Sequence, residues 1–160
     1  MIILGIDPAL AISGYGVIQL RPKHIDLLEA GVIITKAKDP VELRLNKIYQ
    51  AVIKLIVDFN PDCLVLEKIF SHYKHPATSF VLGEARGVIC LAAANKQIPL
   101  AEYAATRIKK AIVGKGLASK TQVQKMIVNL LGIKELPKYT DVTDALALAI
   151  GHSYIIRAKL

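Results

Sequence analysis

The sequence predicts an α/β fold, with a mixed sheet of about five strands flanked by helices. Three observations lead to this prediction. The first 35 residues consist of short apolar runs rich in Val and Ile, which are typical of strands. Later segments carry apolar residues three or four positions apart, which is typical of helices, and both patterns alternate along the middle of the chain. With 160 residues and no internal repeat or linker, the chain is expected to form one domain over residues 1–160.

Three strands are predicted at the N-terminus. Met1–Asp7 is a continuous apolar run that ends in an acid, and Gly14–Leu20 and Leu27–Thr35 are rich in Val and Ile. Short polar or Pro-containing connections separate the three segments, as in an antiparallel meander. We expect Gly14 and Gly16 to provide backbone freedom at the turn that follows the first strand.

The middle of the chain predicts a helix, a strand and a second helix. Apolar residues at helical spacing predict a helix over Val41–Phe59, and Asn60-Pro61 ends it. A short buried strand, Asp62–Glu67, follows this break. The segment Ala77–Asn95 is apolar on nearly all sides, so we expect it to be buried in the core or against another subunit.

The remaining elements are one short strand and three helices. Ser119 is expected to cap the second of these helices, and Pro137 separates it from the third. The predicted positions are a strand near Pro99 and Leu100, and helices near Ala104–Val113, over Lys120–Leu131 and over about Asp141–Arg157.

The charge of the chain indicates a polyanionic partner. Lys and Arg outnumber Asp and Glu by 21 to 13, which gives a formal net charge of +8, and nucleic acid is the first candidate for such a protein. No apolar run approaches the roughly 18 residues needed to span a bilayer, and no signal peptide is recognisable. We therefore expect a cytoplasmic protein that does not enter a membrane. Cys63 and Cys90 lack metal-ligand spacing, so we expect two reduced, buried thiols.

Four carboxylates stand in apolar surroundings at the ends of predicted elements. Asp7 and Glu67 end two strands, while Asp141 and Asp144 lie three residues apart at the start of the last helix. If the two strands are neighbours, all four side chains can converge at one sheet edge. Mg²⁺ prefers oxygen ligands, and nucleases gather such acids around divalent ions. The pattern in a basic protein therefore predicts a metal site for phosphodiester chemistry.

Each acid also has an ordinary structural explanation. Asp7 precedes Pro8 and suits a turn, Asp141 suits a helix N-cap, and Glu67 suits an ion pair with a lysine. For each acid taken singly, this structural explanation and the metal site have equal weight. Taken jointly, four acids at element ends favour the metal site.

Four motifs, in order along residues 3–152, carry a resemblance to a known family. They are Ile3-Leu-Gly-Ile-Asp-Pro8 with Ser13-Gly-Tyr-Gly-Val17; Leu66-Glu-Lys-Ile-Phe70 with Leu82-Gly-Glu-Ala-Arg-Gly87; Glu102-Tyr103, Ile108-Lys109, Val113-Gly-Lys-Gly116 and Lys120-Thr-Gln-Val-Gln124; and Asp141-Val-Thr-Asp-Ala-Leu-Ala147. Together they resemble the RuvC family of crossover-junction (Holliday-junction) endonucleases.

The resemblance implies an RNase H-like nuclease domain that works as a homodimer. It implies Mg²⁺-dependent paired nicks, with Mn²⁺ as a substitute, in two like-polarity strands of a four-way DNA junction during recombination and repair. It further implies cooperation with the branch-migration proteins RuvA and RuvB. The family's acidic quartet falls on Asp7, Glu67, Asp141 and Asp144, which are then catalytic metal ligands.

The resemblance also assigns three DNA-binding positions. Lys109 and Lys120 match basic residues that face the scissile phosphate or the nearby backbone, and Phe70 matches an aromatic residue that stacks on an unpaired junction base. His72, Tyr73, Lys74 and His75 extend that aromatic and basic loop, whose alternative role is packing against the domain. The chain departs from the family pattern at Ala9, Leu10, Lys68 and the loop 69–82.

Two other functions remain open from the sequence. One is a junction-binding protein with an inactive carboxylate cluster, which the departure at Ala9 and Leu10 favours. The other is a nuclease of the same fold with a different structured substrate. An actin-like ATPase is excluded by length, and Gly114-Lys-Gly116 is too short for an ATP-binding phosphate loop. His152 either assists the chemistry or is an ordinary helix histidine, and we favour the second interpretation.

Overall fold

A mixed sheet of five strands, with helices on both faces, forms the described part of the computed structural model, residues 1–68, 76–134 and 137–158. The predicted order of elements is confirmed, and the helix bounds agree with the prediction to within one residue. None of these helices is long and apolar enough to cross a membrane. In chain order the elements are β1 (Ile2–Asp7), β2 (Ile12–Leu20), β3 (Ile25–Ile34), α1 (Val41–Phe59), β4 (Cys63–Glu67), α2 (Pro76–Asn95), β5 (Leu100–Tyr103), α3 (Ala105–Val113), α4 (Lys120–Leu131) and α5 (Thr140–Arg157).

The sheet has the strand order β3-β2-β1-β4-β5, with β1 at its centre. The strands β1, β2 and β3 pair antiparallel, as the predicted meander requires. On the other side β1 pairs parallel with β4, and β4 pairs parallel with β5. Ile6 of β1 lies opposite Leu66 of β4, so these two parallel strands end side by side.

Alternating residues of the strands build two apolar cores, one on each face of the sheet. Ile3, Cys63 and Val65 pack with the helices α3, α4 and α5. The helices α1 and α2 pack on the other face against Leu4, Ile6, Leu64 and Leu66. Both faces are therefore covered, which explains why β1 and β4 read as continuous apolar runs.

Three glycines let α5 lie directly on the sheet. A Cβ atom on Gly5 would lie 2.2 Å from the main-chain oxygen of Ala145, and one on Gly14 would lie 2.0 Å from that of Asp141. A Cβ on Gly16 would meet the side chain of Leu146 at 2.5 Å. The predicted role of Gly14 and Gly16 in a turn is wrong, because both residues pair within β2. They are glycines because the helix leaves no room for a side chain.

Among the described helix starts, only that of α4 has a side-chain cap, because Pro40, Ala104 and Tyr139 make no cap hydrogen bond. Ser119 caps α4 as predicted, in a reciprocal capping box with Gln122. The N-cap of α5 is Tyr139, without a side-chain hydrogen bond, so the N-cap explanation for Asp141 is wrong. Asp141 lies in the first turn instead, which leaves its carboxylate available for other contacts. Both cysteines are free, and Cys63 is buried as predicted while Cys90 is only partly buried.

Candidate active site

The ends of β1 and β4 place Asp7 and Glu67 on one face of the sheet. Asp7 follows Gly5, which contacts α5, by two positions. Glu67 follows Val65, which packs with α5, by the same spacing. Side chains two positions apart in a strand point to the same face, so both acids project from the sheet edge toward α5.

The first turns of α5 bring Asp144 to the same edge. Asp144 lines a cavity of about 150 Å³ together with Asp7, Glu67, Lys109 and Lys120. The walls are apolar, and they comprise Ala105, Ile108, Val123, Ala147 and Leu148. Five of the predicted site residues therefore meet in one small, partly apolar cavity. Asp141 lies beside it, with its main chain against Gly14, the partner of Asp7 across the β1–β2 ladder.

Burial and mutual repulsion dominate the electrostatics of the acids. The pKa of Asp7 is raised from 3.8 to about 7, first by burial and then by the charges of Asp144, Asp141 and Glu67, while Lys120 lowers it. The pKa of Glu67 is also raised, by burial and by Asp144. Carboxylates that hinder each other's ionisation in this way lie close together and attract a cation.

Two lysines bring positive charge to the cavity from α3 and α4. Lys120, the first residue of α4, donates from Nζ to Oδ2 of Asp144 at 2.6 Å. The pKa of Lys120 is raised, first by this hydrogen bond. Lys109 lines the cavity from α3, and its charge lowers the pKa of Glu67. The capping box at Ser119 fixes the start of α4 and thereby the point from which Lys120 extends.

The donors of this site fit a divalent cation in chemistry and charge. Oxygen ligands suit Mg²⁺ and Mn²⁺, and a cation would offset the repulsion from Asp144, Asp141 and Glu67 that, after burial, raises the pKa of Asp7. Within the described residues, however, no three His, Cys, Asp or Glu side chains are already arranged to hold an ion together. One of the acids, Asp144, is instead paired with the ammonium of Lys120. The fit is therefore one of donor type and charge.

Two polar contacts near the site were not predicted from the sequence. Arg86 of α2 donates from Nη1 to the main-chain oxygen of Glu67 at 2.7 Å, and its Nη2 pairs with Glu102. Arg86 lies in the motif Leu82-Gly-Glu-Ala-Arg-Gly87, but nothing in the sequence predicted its contact with the main chain of Glu67. Tyr103 Oη lies 2.8 Å from Nδ1 of the buried His152, in agreement with an ordinary structural histidine.

Phe70 and the loop residues His72, Tyr73, Lys74 and His75 lie outside the described residues. A larger cavity of about 680 Å³ separates α1 from β2 and β3, and none of the four acids lines it. Its polar lining mixes both charges, with Glu29 and Asp58 beside Lys47 and Lys54. The candidate site is therefore chosen by its converging acids and not by the size of the cavity.

Comparison with known proteins points to one family. The profile described as "Crossover junction endodeoxyribonuclease RuvC" matches residues 3–152. The protein of that name from Desulforamulus reducens is 44% identical over 153 residues, which cover 96% of this chain and 93% of the relative. The one from Natranaerobius thermophilus is 39% identical over 162 aligned positions and covers both chains in full.

The solved structures agree with the sequence matches. A structure described as T. thermophilus RuvC in complex with Holliday junction substrate superposes with a TM-score of 0.94 at 30% identity. The superposition covers 99% of this chain and 96% of the other. The yeast mitochondrial resolvase Ydc2 shares the fold, with a TM-score of 0.66 at 15% identity.

Proposed function

The chain belongs to the RuvC family of crossover junction endodeoxyribonucleases, whose profile spans residues 3–152, and we propose that it resolves four-way DNA junctions with the carboxylates at its sheet edge. The observation that carries this assignment of the site is the meeting of Asp7, Glu67 and Asp144 in one cavity with Lys109 and Lys120. Paired nicks in two like-polarity strands of a Holliday junction, during recombination and repair, are the proposed reaction.

The four acids are the proposed metal ligands. The family consists of divalent-metal nucleases, and we assign the metal to Mg²⁺, with Mn²⁺ as a substitute, because the donors are all carboxylate oxygens. Asp7, Glu67 and Asp144 line the cavity, and Asp141 lies one turn before Asp144 on α5. When bound, a divalent cation supplies charge that activates water and stabilises the transition state of phosphodiester hydrolysis.

The lysines are the proposed phosphate contacts. Lys120 pairs with Asp144, so its ammonium lies where negative charge is concentrated. A phosphodiester in the cavity offers it a second anionic partner, and the ammonium then offsets charge that develops on the leaving 3′-oxygen. Lys109 lines the same cavity from α3, and its proposed partner is the DNA backbone next to the scissile phosphate. We propose the base-stacking role of Phe70 on the family resemblance alone.

The proposed active form is a homodimer, because two paired nicks need two active sites at a fixed separation. The helix α2 offers a surface for it. Phe80 and Leu91 on α2 are 74% and 52% exposed, and Val81 is also exposed. Gly83 and Gly87 of the same helix face open space, which permits close approach of a second helix. A concentration series in the analytical ultracentrifuge tests the dimer.

Two further assignments follow from the family rather than from particular residues. We propose that the branch-migration proteins RuvA and RuvB are partners, which co-sedimentation on junction DNA tests. We also propose the cytoplasm as the place of action, because the proposed substrate is chromosomal DNA.

A synthetic end-labelled four-way junction, incubated with and without Mg²⁺ beside a linear duplex, tests the proposed reaction. We expect symmetric Mg²⁺-dependent nicks in the junction alone. Tight binding without cleavage in either Mg²⁺ or Mn²⁺ would indicate an inactive junction binder. Equal cleavage of the linear duplex would indicate a general nuclease.

The variant Asp7→Asn tests the assignment of the site. It keeps the size of the side chain and removes the charge at the centre of the acid cluster, so we expect cleavage to be abolished and junction binding to be largely retained. Retained cleavage, or lost binding in a folded protein, would contradict the role given to Asp7.

A further inference from the structure

Arg86 connects α2 to the strand end that carries Glu67. Its guanidinium reaches the main-chain oxygen of Glu67 at 2.7 Å and pairs with Glu102 of the neighbouring strand β5. The side chain of Arg86 is only 11% exposed, whereas that of Glu102 is 42% exposed. An arginine that is nearly buried and makes hydrogen bonds through both Nη1 and Nη2 has a fixed side-chain geometry.

The contact comes from the face of the sheet opposite the acid cavity. Ala85, next to Arg86, is packed with Leu64 and Leu66 in the core beneath α1 and α2. The carboxylate of Glu67 belongs to the other face, where it lines the cavity under α5. Arg86 therefore holds the main chain of Glu67 from behind, without occupying the cavity.

This geometry limits the freedom of the Glu67 side chain. The carbonyl group and the side chain of a residue share one Cα atom, so a fixed carbonyl restricts the backbone rotation that would swing the carboxylate away. The next residue is also held, because the amide of Lys68 donates to the oxygen of Tyr103 at 2.9 Å. The end of β4 is thus fastened on both sides at the point where the chain leaves the sheet.

We propose that Arg86 is a positioning residue of the active site, which fixes the end of β4 and orients Glu67 toward the bound metal. The inference rests on the proposed function, since it takes Glu67 as a metal ligand. The helix α2 then has two proposed roles, one in the dimer contact and one in holding the end of β4. Groups that orient metal ligands typically change metal affinity or activity by roughly 10–100-fold when removed.

The test measures Mn²⁺ binding by electron paramagnetic resonance in the DNA-free protein, for Arg86→Ala and Arg86→Lys. We expect Arg86→Ala to weaken Mn²⁺ binding by about tenfold. We expect Arg86→Lys to recover part of the loss, because lysine keeps the charge but loses the fork. Single-turnover junction cleavage should fall most at limiting Mg²⁺, while junction affinity in metal-free buffer stays close to the wild-type value.

Arg157→Ala is the matched control. Arg157 also donates to main-chain oxygens, those of Arg21 and Pro22, but it lies at the far end of α5 from Asp144. We expect it to leave Mn²⁺ affinity unchanged. Wild-type Mn²⁺ affinity in a folded Arg86→Ala protein would overturn the proposal, and so would an equal loss in Arg157→Ala.

Two safeguards keep the test decisive. If Arg86→Ala does not fold, Arg86→Lys carries the test, and wild-type Mn²⁺ affinity in that variant overturns the proposal. A wild-type protein that binds Mn²⁺ but cuts no junction contradicts the proposed function, while the effect of Arg86 on Mn²⁺ binding is still measured.

Discussion

The glycines beneath α5 and the glycines on α2 differ in the space around them. Beneath α5, a Cβ atom on Gly5 or Gly14 would lie within 2.2 Å of helix main-chain oxygens. On α2, a Cβ atom on Gly83 or Gly87 would meet none of the described residues within 4 Å, apart from its own neighbours in the helix. The first pair is explained inside the domain, because α5 must lie close to the sheet to deliver its acids. The second pair is not, which agrees with a contact that only the proposed dimer makes.

The largest expected effect comes from filling the space beneath α5. Gly14→Ala places a methyl group 2.0 Å from the main-chain oxygen of Asp141, so the helix must shift or unfold locally. We expect a loss of about 3 kcal/mol in the free energy of unfolding. We also expect cleavage to be lost, because both acids of α5 move with the helix. Urea denaturation and junction cleavage measure the two effects, and near-normal values for both would show that α5 tolerates displacement.

The raised pKa of Asp7, to which burial and the acids of α5 contribute, should make stability depend on pH. The folded pKa of Asp7 is raised to about 7, so in metal-free buffer the folded state binds the proton more tightly than the unfolded state between about pH 4 and pH 7. Stability from this group is therefore lost as pH rises through that range. We expect Asp7→Asn to be more stable than wild type by about 2 kcal/mol at pH 8 and equally stable at pH 4. Each unit of pKa shift corresponds to about 1.4 kcal/mol, and the expected difference is smaller than the full sum because solvent screens the charge. Parallel urea titrations measure the difference. A pH-independent difference would contradict the raised pKa.

Removal of the Lys120 ammonium tests its electrostatic interaction with Asp7. Lys120 lowers the pKa of Asp7, so Lys120→Met should raise that pKa further and weaken cleavage at neutral pH. NMR titration of the Asp7 carboxyl carbon in metal-free protein measures the pKa directly. Lys110→Met, next to Lys109 on α3 but outside the cavity lining, serves as the control. Equal titration curves for wild type and Lys120→Met would show that the two groups do not interact.

The smallest expected effect lies on α2. Gly83→Ala introduces a methyl group into open space and should stabilise the helix of the monomer by about 0.5–1 kcal/mol. If Gly83 lies in the dimer contact, the same methyl group weakens dimerisation. Sedimentation at several concentrations separates the two effects. Stabilisation with unchanged dimerisation would place the dimer contact elsewhere.

The sequence was sufficient for most of the fold because its signals were local. Apolar periodicity predicted the helix Val41–Phe59, and Ser119 predicted the start of α4. Asp7 and Glu67 were found because each ends an apolar strand. Their convergence required β1 and β4 to be neighbours, which is a property of topology and not of spacing.

What the sequence did not give depends on contacts between distant elements. The roles of Gly14 and Gly16 could not be read from turn chemistry, because the helix that excludes their side chains lies far along the chain. The partnership of Arg86 with a main-chain oxygen leaves no trace in residue identities. Metal ligation, the lysine contacts and the homodimer stay predictions.

The acids of the site come from opposite ends of the described chain. Asp7 ends the first strand, and Asp144 lies on the last of the described helices. During synthesis on the ribosome, the residues of β1 and β4 are made well before those of α5. A nascent or truncated chain that lacks α5 therefore carries an incomplete set of acids, and the proposed nuclease site is complete only when α5 docks on the sheet.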